Sequence, residues 1–293
     1  MGSRKIACLS YMALYNKLML KPFLESGHYS EQNEAREKRA SFESREMYET
    51  AKERLLKLKP ILKSEMERFK KIGAPIDEEG RIDMNAFSKI GQYDPKMIAQ
   101  DAELVKKKEV MFETQNTPET NLAKNIGELL EVTKTILFNR HWFKGNFIAL
   151  RTTKFDDYSF GIDELIFDTA TYKPLAIIDV TTDPRKKDMA RKTSKGGRLK
   201  YGLAWDKKGF KAKALENLPV FVVQIRNEEV LRLAREIIDK KLSPESEVME
   251  KNILMELKNQ CEEYGRVASS QLVRESYREA AEIFTLMLQN LYR

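Results

Sequence analysis

The sequence predicts an α+β protein: an αβββαβ core with a mixed central sheet, flanked by long N-terminal and C-terminal helical regions. Three observations carry this. Residues 1–115 and 243–293 are rich in Glu, Lys and Arg with apolar positions at threes and fours, the spacing of amphipathic helices. In between, "NFIALRTT", "YSFGIDELIFD" and "PLAIIDVTT" are apolar runs separated by short polar segments and read as strands. A further run, "LPVFVVQIR", follows a segment with helix start and stop signals, so it returns to the sheet across a helix. The expected organisation is a helical region over 1–115, a core over 116–242 and C-terminal helices over 243–293.

In the first region Met47, Ala51, Leu55, Leu58, Leu62, Met66 and Phe69 form one helical face. Pro60 either kinks this helix or divides it. "GAPIDEEGRIDMN" reads as a loop, and a second helix spans about Asp94 to Phe112. The apolar faces pack on a core, on a second copy of the chain or on a partner protein. The core opens with Thr117 as N-cap, Pro118 at the first helical position and Glu119 in the first turn. Its first three strands, joined by short turns, pair as an antiparallel meander. Asp183 and Pro184 start the next helix, and Gly196 and Gly197 stop it. "LPVFVVQIR" is apolar throughout, as a buried central strand requires. "NEEVLRLAREIIDKK" is a helix. "SPESE" starts the C-terminal helical tail, with a break expected at Gly265.

No run of 18 apolar residues occurs, so no transmembrane helix is expected. The opening "MGSRKIACLSYMALYNKLML" is interrupted by Lys5, Asn16 and Lys17 and does not read as a signal peptide. Two distant cysteines, Cys8 and Cys261, point to a reducing, cytoplasmic setting without a structural disulfide. With only His28 and His141 beside them, a zinc site is not expected.

The charge is concentrated. Residues 185–213 hold twelve Lys/Arg against Asp188 and Asp206, a local +10 in a chain of net +7, which leaves −3 elsewhere. One basic segment on a nearly neutral body points to a polyanionic partner. A solvated surface helix is the competing reading.

Each of two adjacent strands carries an acid. By alternation Ile162, Glu164 and Ile166 share one face, and Asp163, Leu165 and Phe167 the other. Leu175, Ile177, Asp179 and Thr181 share a face in the next strand. Pairing of the two strands then brings Asp163 and Asp179 together at one end of the sheet. Two close carboxylates repel, and a divalent cation between them relieves the repulsion. Hard oxygen ligands suit magnesium, which also binds phosphate oxygens. Taken singly, either acid also reads as a solvent-facing strand end.

The order αβββαβ, "GID" at 161–163 and "IIDVT" at 177–181 resemble the PD-(D/E)xK nuclease superfamily, over about residues 117–241. The resemblance implies a restriction-endonuclease-like core and hydrolysis of phosphodiester bonds in DNA, with Mg2+ or Mn2+ held by Asp163 and Asp179. Many members add a Glu at the start of the first helix, in an E-x-x-L-x-x-x-L setting. "ETNLAKNI" matches with Glu119, Leu122 and Ile126, and Glu119 falls on the face of Leu129, Thr133 and Ile136. Glu119 is therefore the candidate third acid, with Glu128 as fallback; Glu128 and Glu131 lie roughly opposite that face. Glu119 equally suits a helix-dipole role.

One residue departs from the pattern: Thr181 stands where the family lysine belongs. A lysine then comes from Lys187, Lys192 or Lys154, or threonine suffices, or the domain binds nucleic acid without cutting it. Lys186, Lys187, Arg191, Lys192, Lys195, Arg198 and Lys200 are the expected phosphate contacts. The alternative functions are an inactive nuclease-fold module that binds nucleic acid or acts as a scaffold, and an interaction protein that dimerises or recruits partners through its terminal helices.

Overall fold

The structure is a computed structural model that describes residues 28–89, 93–114, 118–181, 193–206 and 209–291, with backbone alone for 28–45, 118–123 and 291. The chain divides into two units, Met1–Arg45 and Glu46–Arg293, and the second contains the sheet.

Helix α1 (His28–Lys71) continues through Pro60 without a break. It buries the stripe its spacing predicts, Ala51, Leu55, Leu58, Leu62, Met66 and Phe69. The following loop is pinned by Asp77, whose Oδ1 accepts the N–H groups of Glu79 and Arg81. Ile82 N–H then donates to the Arg151 carbonyl, which docks the loop on the edge of the sheet. Two helices follow, α2 (Ala86–Lys89) and α3 (Pro95–Glu113). Asp94 caps α3 by accepting Lys96 N–H, with Pro95 in the first turn, as the sequence predicts.

Helix α4 (Pro118–Ile136) runs into a π-helical turn at Leu137–His141. Strand β1 (Phe147–Arg151) comes next. The expected short turn to the second strand is instead a helix, α5 (Lys154–Phe160). Thr153 caps it by accepting Asp156 N–H, Asp156 and Asp157 sit in its first turn, and Gly161 ends it at φ 64°. Strands β2 (Glu164–Asp168) and β3 (Pro174–Thr181) complete the antiparallel meander.

The helix expected from Asp183 falls mostly outside the described residues. Residues 193–195 are helical, and Gly196 follows at φ 70°. Four short strands that the sequence reading did not anticipate come next: β4 (Gly197–Leu199), β5 (Leu203–Asp206), β6 (Gly209–Ala212) and β7 (Leu215–Leu218). They pair as β4–β7 and β5–β6. β4 lies so close to β3 that a Cβ on Gly197 would stand 1.8 Å from Ile177 Cδ1. Strand β8 (Val220–Gln224) then pairs parallel to β3, giving a four-stranded sheet in the order β1-β2-β3-β8.

Helices α6 (Asn227–Ile238), α7 (Pro244–Val267) and α8 (Gln271–Leu291) finish the chain. Ser243 caps α7 with Pro244 behind it. The break expected at Gly265 comes after Val267: Gly265 stays helical, and the turn falls at residues 268–270. Gln260 of α7 accepts Val222 N–H and donates to Val222 C=O, pairing the free edge of β8. The architecture is mixed α+β, with a mixed four-stranded sheet and helical flanks. Among the described residues, no helix is long and apolar enough to cross a membrane.

Candidate metal centre

The second half of α4 is buried on nearly every side, from Leu129 to Asn139. Within this apolar stretch Glu131 and Lys134 lie about one turn apart, on neighbouring positions of the helix surface. Glu131 Oε2 accepts 2.6 Å hydrogen bonds from Arg81 Nη2 and from Arg151 Nη2. Arg81 Nη1 lies 3.3 Å from Asp157 Oδ2 and donates to the Thr152 carbonyl. Lys134 has no exposed side-chain surface, and its Nζ stands 3.5 Å from Asp163 Oδ2 and 3.6 Å from Glu164 Oε2.

Two consecutive residues reach one lysine because the first of them precedes the strand: Asp163 lies just before β2, outside its ladder. Its N–H donates to the Ile178 carbonyl, while Glu164 pairs with Ile178 and opens the register. Strict alternation of faces holds inside a ladder and not at this entry. Asp163 Oδ2 also accepts Val180 N–H at 2.8 Å. Thr135 Oγ1 donates to Glu164 Oε1. Glu164 Oε2, fully buried, has no hydrogen-bond partner among the described residues.

Glu131, Asp157 and Asp163 each offer a carboxylate oxygen, and these three oxygens lie within 4.8 Å of one another. Burial pushes the Asp163 carboxyl up to about 7; Lys134 opposes the shift, while Glu131, Asp179 and Asp157 add to it. Burial likewise raises Asp157 to about 6. Glu131 is also raised by burial, but Arg81, Arg151 and Lys134 overcome this and hold it at about 2. For Lys134, burial favours the neutral amine, and the carboxylates of Glu164, Asp163 and Glu131 outweigh it, so the ammonium persists. Among the described residues, the carboxylates of Glu128, Glu131, Asp157, Asp163 and Glu164, with Asp179 nearby, outnumber the cations Arg81, Lys134 and Arg151. A divalent cation would relieve that excess of negative charge, and the all-oxygen donor set suits magnesium or manganese.

The residues expected from the sequence are distributed as follows. Asp163 is in the cluster. Asp179 is a neighbouring charge that raises Asp163 further. Asp179 lies within β3, next to Val180, whose N–H Asp163 Oδ2 accepts. Thr181 ends β3, and its carbonyl accepts Ile225 N–H. The side chain of Glu119 lies outside the described residues, as do Lys186, Lys187, Arg191 and Lys192. Glu128, the fallback acid, pairs with Arg151 at 3.3 Å. Lys154 bonds Glu79 and Glu109. Lys195 and Arg198 are exposed, with Arg198 over the Phe160 ring at 4.7 Å. Lys200 is bound to Asp101 at 2.5 Å and lies over the Phe155 ring, so its charge is already compensated.

Arg81, Lys134, Arg151 and Asp157 escaped the sequence reading, which named Glu131 only as lying opposite the chosen helix face. One signal for them was present, the two charges of "EVTK" inside an otherwise apolar and Thr-rich helical run. Another was the acid pair of "KFDD" directly after an apolar strand. Comparison of the chain with protein-family models, with curated proteins and with solved structures finds no match.

Proposed function

We propose that this chain is a PD-(D/E)xK-like nuclease that hydrolyses phosphodiester bonds in DNA with Mg2+ or Mn2+. The observation that carries this reading is the triad of Glu131, Asp157 and Asp163 with Lys134 beside Asp163, at the entry to the second strand of a β-meander. Glu131, Asp157 and Asp163 would hold the cation. The cation supplies Lewis-acid polarisation of a phosphate oxygen and makes water a stronger nucleophile. Lys134 takes the part that the resemblance assigns to position 181: a fixed positive charge next to the reacting group. Its carboxylate neighbours keep it protonated against the effect of burial, and its enclosure fixes its position. Arg81 and Arg151 orient Glu131 through Oε2.

Purified protein incubated with plasmid and linear DNA should cleave in Mg2+ or Mn2+ and not in EDTA. Asp163→Asn should lose that cleavage while keeping its fold, because the amide oxygen still accepts Val180 N–H. Metal-dependent cleavage that survives this change would reject the proposed centre.

A second reading has its own observation. Two guanidinium groups already compensate Glu131, which suits a metal-free ionic network inside an inactive nuclease-fold module. DNA binding with no cleavage in either metal would favour that module.

A further inference from the structure

Glu131 and Asp157 form part of the lining of an open cleft of about 1130 Å³ between α1, the 78–81 loop, α3, α4 and α5. Two side chains on its walls are large, apolar and exposed: Leu56 on α1 at 62% and Phe112 on α3 at 44%. Phe112 meets Tyr158 of α5 edge to face, with ring centroids 5.5 Å apart. The cations near the acids, Arg81, Arg151 and Lys154, are all tied to carboxylates. Lys59 and Lys63, one turn apart on α1, and Lys124 on α4 line the same cleft and are exposed.

We infer that this cleft takes a single unpaired nucleic-acid strand, with bases against Phe112, Tyr158 and Leu56 and phosphates against Lys59, Lys63 and Lys124. This rests on the nuclease reading and names its substrate. In a duplex the base faces are stacked inside, so only an unpaired strand presents them to aromatic and apolar walls. Stacking on a protein ring is tolerant of sequence, because every base has a π-face. The lysines supply the backbone contacts that fix position without reading sequence. The volume argues the same way. It is close to that of a pocket for a small molecule, about 300–1,000 Å³, and a duplex with two backbones needs a far broader surface. Helices stand on both sides of the acids, so a phosphate reaches Glu131 and Asp157 by entering the cleft.

The test measures fluorescence anisotropy of a short labelled oligothymidylate and of a labelled hairpin duplex, both in EDTA so that nothing is cut. The single strand should bind about tenfold tighter or more. Phe112→Ala should weaken it by about tenfold, the loss of one base stack. Lys59→Gln with Lys63→Gln should flatten the salt dependence of log K by about 1.4, two phosphates' worth on a single strand. All three residues are exposed, so these variants keep the fold, which circular dichroism checks. A duplex that binds as tightly as the single strand, an unchanged affinity in Phe112→Ala, or no binding of either probe would overturn the inference. Failure of the nuclease reading looks different: tight single-strand binding that Phe112→Ala removes, with no cleavage in Mg2+ or Mn2+. Cleavage with a Phe112→Ala variant of unchanged affinity would leave the nuclease and remove the strand-binding cleft.

Discussion

Lys134 Nζ stands 3.5 Å from Asp163 Oδ2, with the lysine side chain fully enclosed and the aspartate 12% exposed. Since Glu164 Oε2 is 3.6 Å from the same nitrogen, one ammonium compensates two carboxylates in the protein interior. Removing it is costly. Lys134→Met should destabilise the protein by about 3–5 kcal/mol, because both acids are then left buried and unpaired. Adding Glu164→Gln should recover part of that loss. Urea denaturation of the single and double variants measures both effects.

Arg81 offers a graded comparison. Its guanidinium also sits between two acids, but Arg151 still bonds Glu131 when Arg81 is gone. Arg81→Met should therefore cost about 1–3 kcal/mol, less than Lys134→Met. Without the guanidinium competing for Glu131 and Asp157, Mn2+ should raise the melting temperature of this variant more than that of the wild type. An equal or smaller rise, in a variant that remains folded, would count against a cation site between those acids.

The pH dependence follows from the raised carboxyls. Asp163 at about 7 and Asp157 at about 6 both lie above their unfolded values. The native state then holds more protons than the unfolded state from about pH 4 to pH 7, so stability falls as pH rises through that window. Glu131, held at about 2, acts oppositely and loses its contribution only in stronger acid. In EDTA, Asp163→Asn should show a flatter decline in melting temperature between pH 5 and pH 8 than the wild type. Stabilisation by Mn2+ should be larger at pH 8 than at pH 5, where protons compete for the ligands.

Gly197 tests the packing between β4 and the main sheet. Its missing Cβ would stand 1.8 Å from Ile177 Cδ1, so Gly197→Ala should cost about 1–3 kcal/mol by overpacking. Ile177→Val removes that methyl carbon and should return part of the loss. The recovery stays partial, because Ile177 Cγ1 and Val220 Cγ2 also approach within 3.0 Å. Thermal melts of the two single variants and the double variant form the cycle.

Much of the scaffold was legible because it follows from local rules. The α1 stripe reads from spacing alone, the α3 start from Asp94 and Pro95, and the parallel pairing of β8 from its place after a crossover. Asp163 was legible as an acid in an apolar strand. Its companions were not, for two physical reasons. Strict alternation assumes a regular ladder, and Asp163 lies just before β2, outside that ladder, where it reaches Lys134. The amphipathic rule assumes one buried face, but α4 beyond Leu129 is enclosed almost all round, so Glu131 and Lys134 lie in the interior. Helix α5 was overlooked because its cap and stop signals, Thr153 and Gly161, fall between two strongly apolar strands.

The pairing of Gln260 with Val222 has a consequence for the chain's solubility. A parallel sheet edge that ends in Val220, Phe221, Val222 and Val223 is a template for strands of other molecules. One amide side chain occupies both backbone groups of Val222, and helix α7 lies along the strand. The C-terminal hairpin of helices therefore works as an end-stop against growth of the sheet from molecule to molecule. A chain cut before Pro244 would keep all four strands, yet it should form fibrils or precipitate more readily than the full chain, which light scattering would measure.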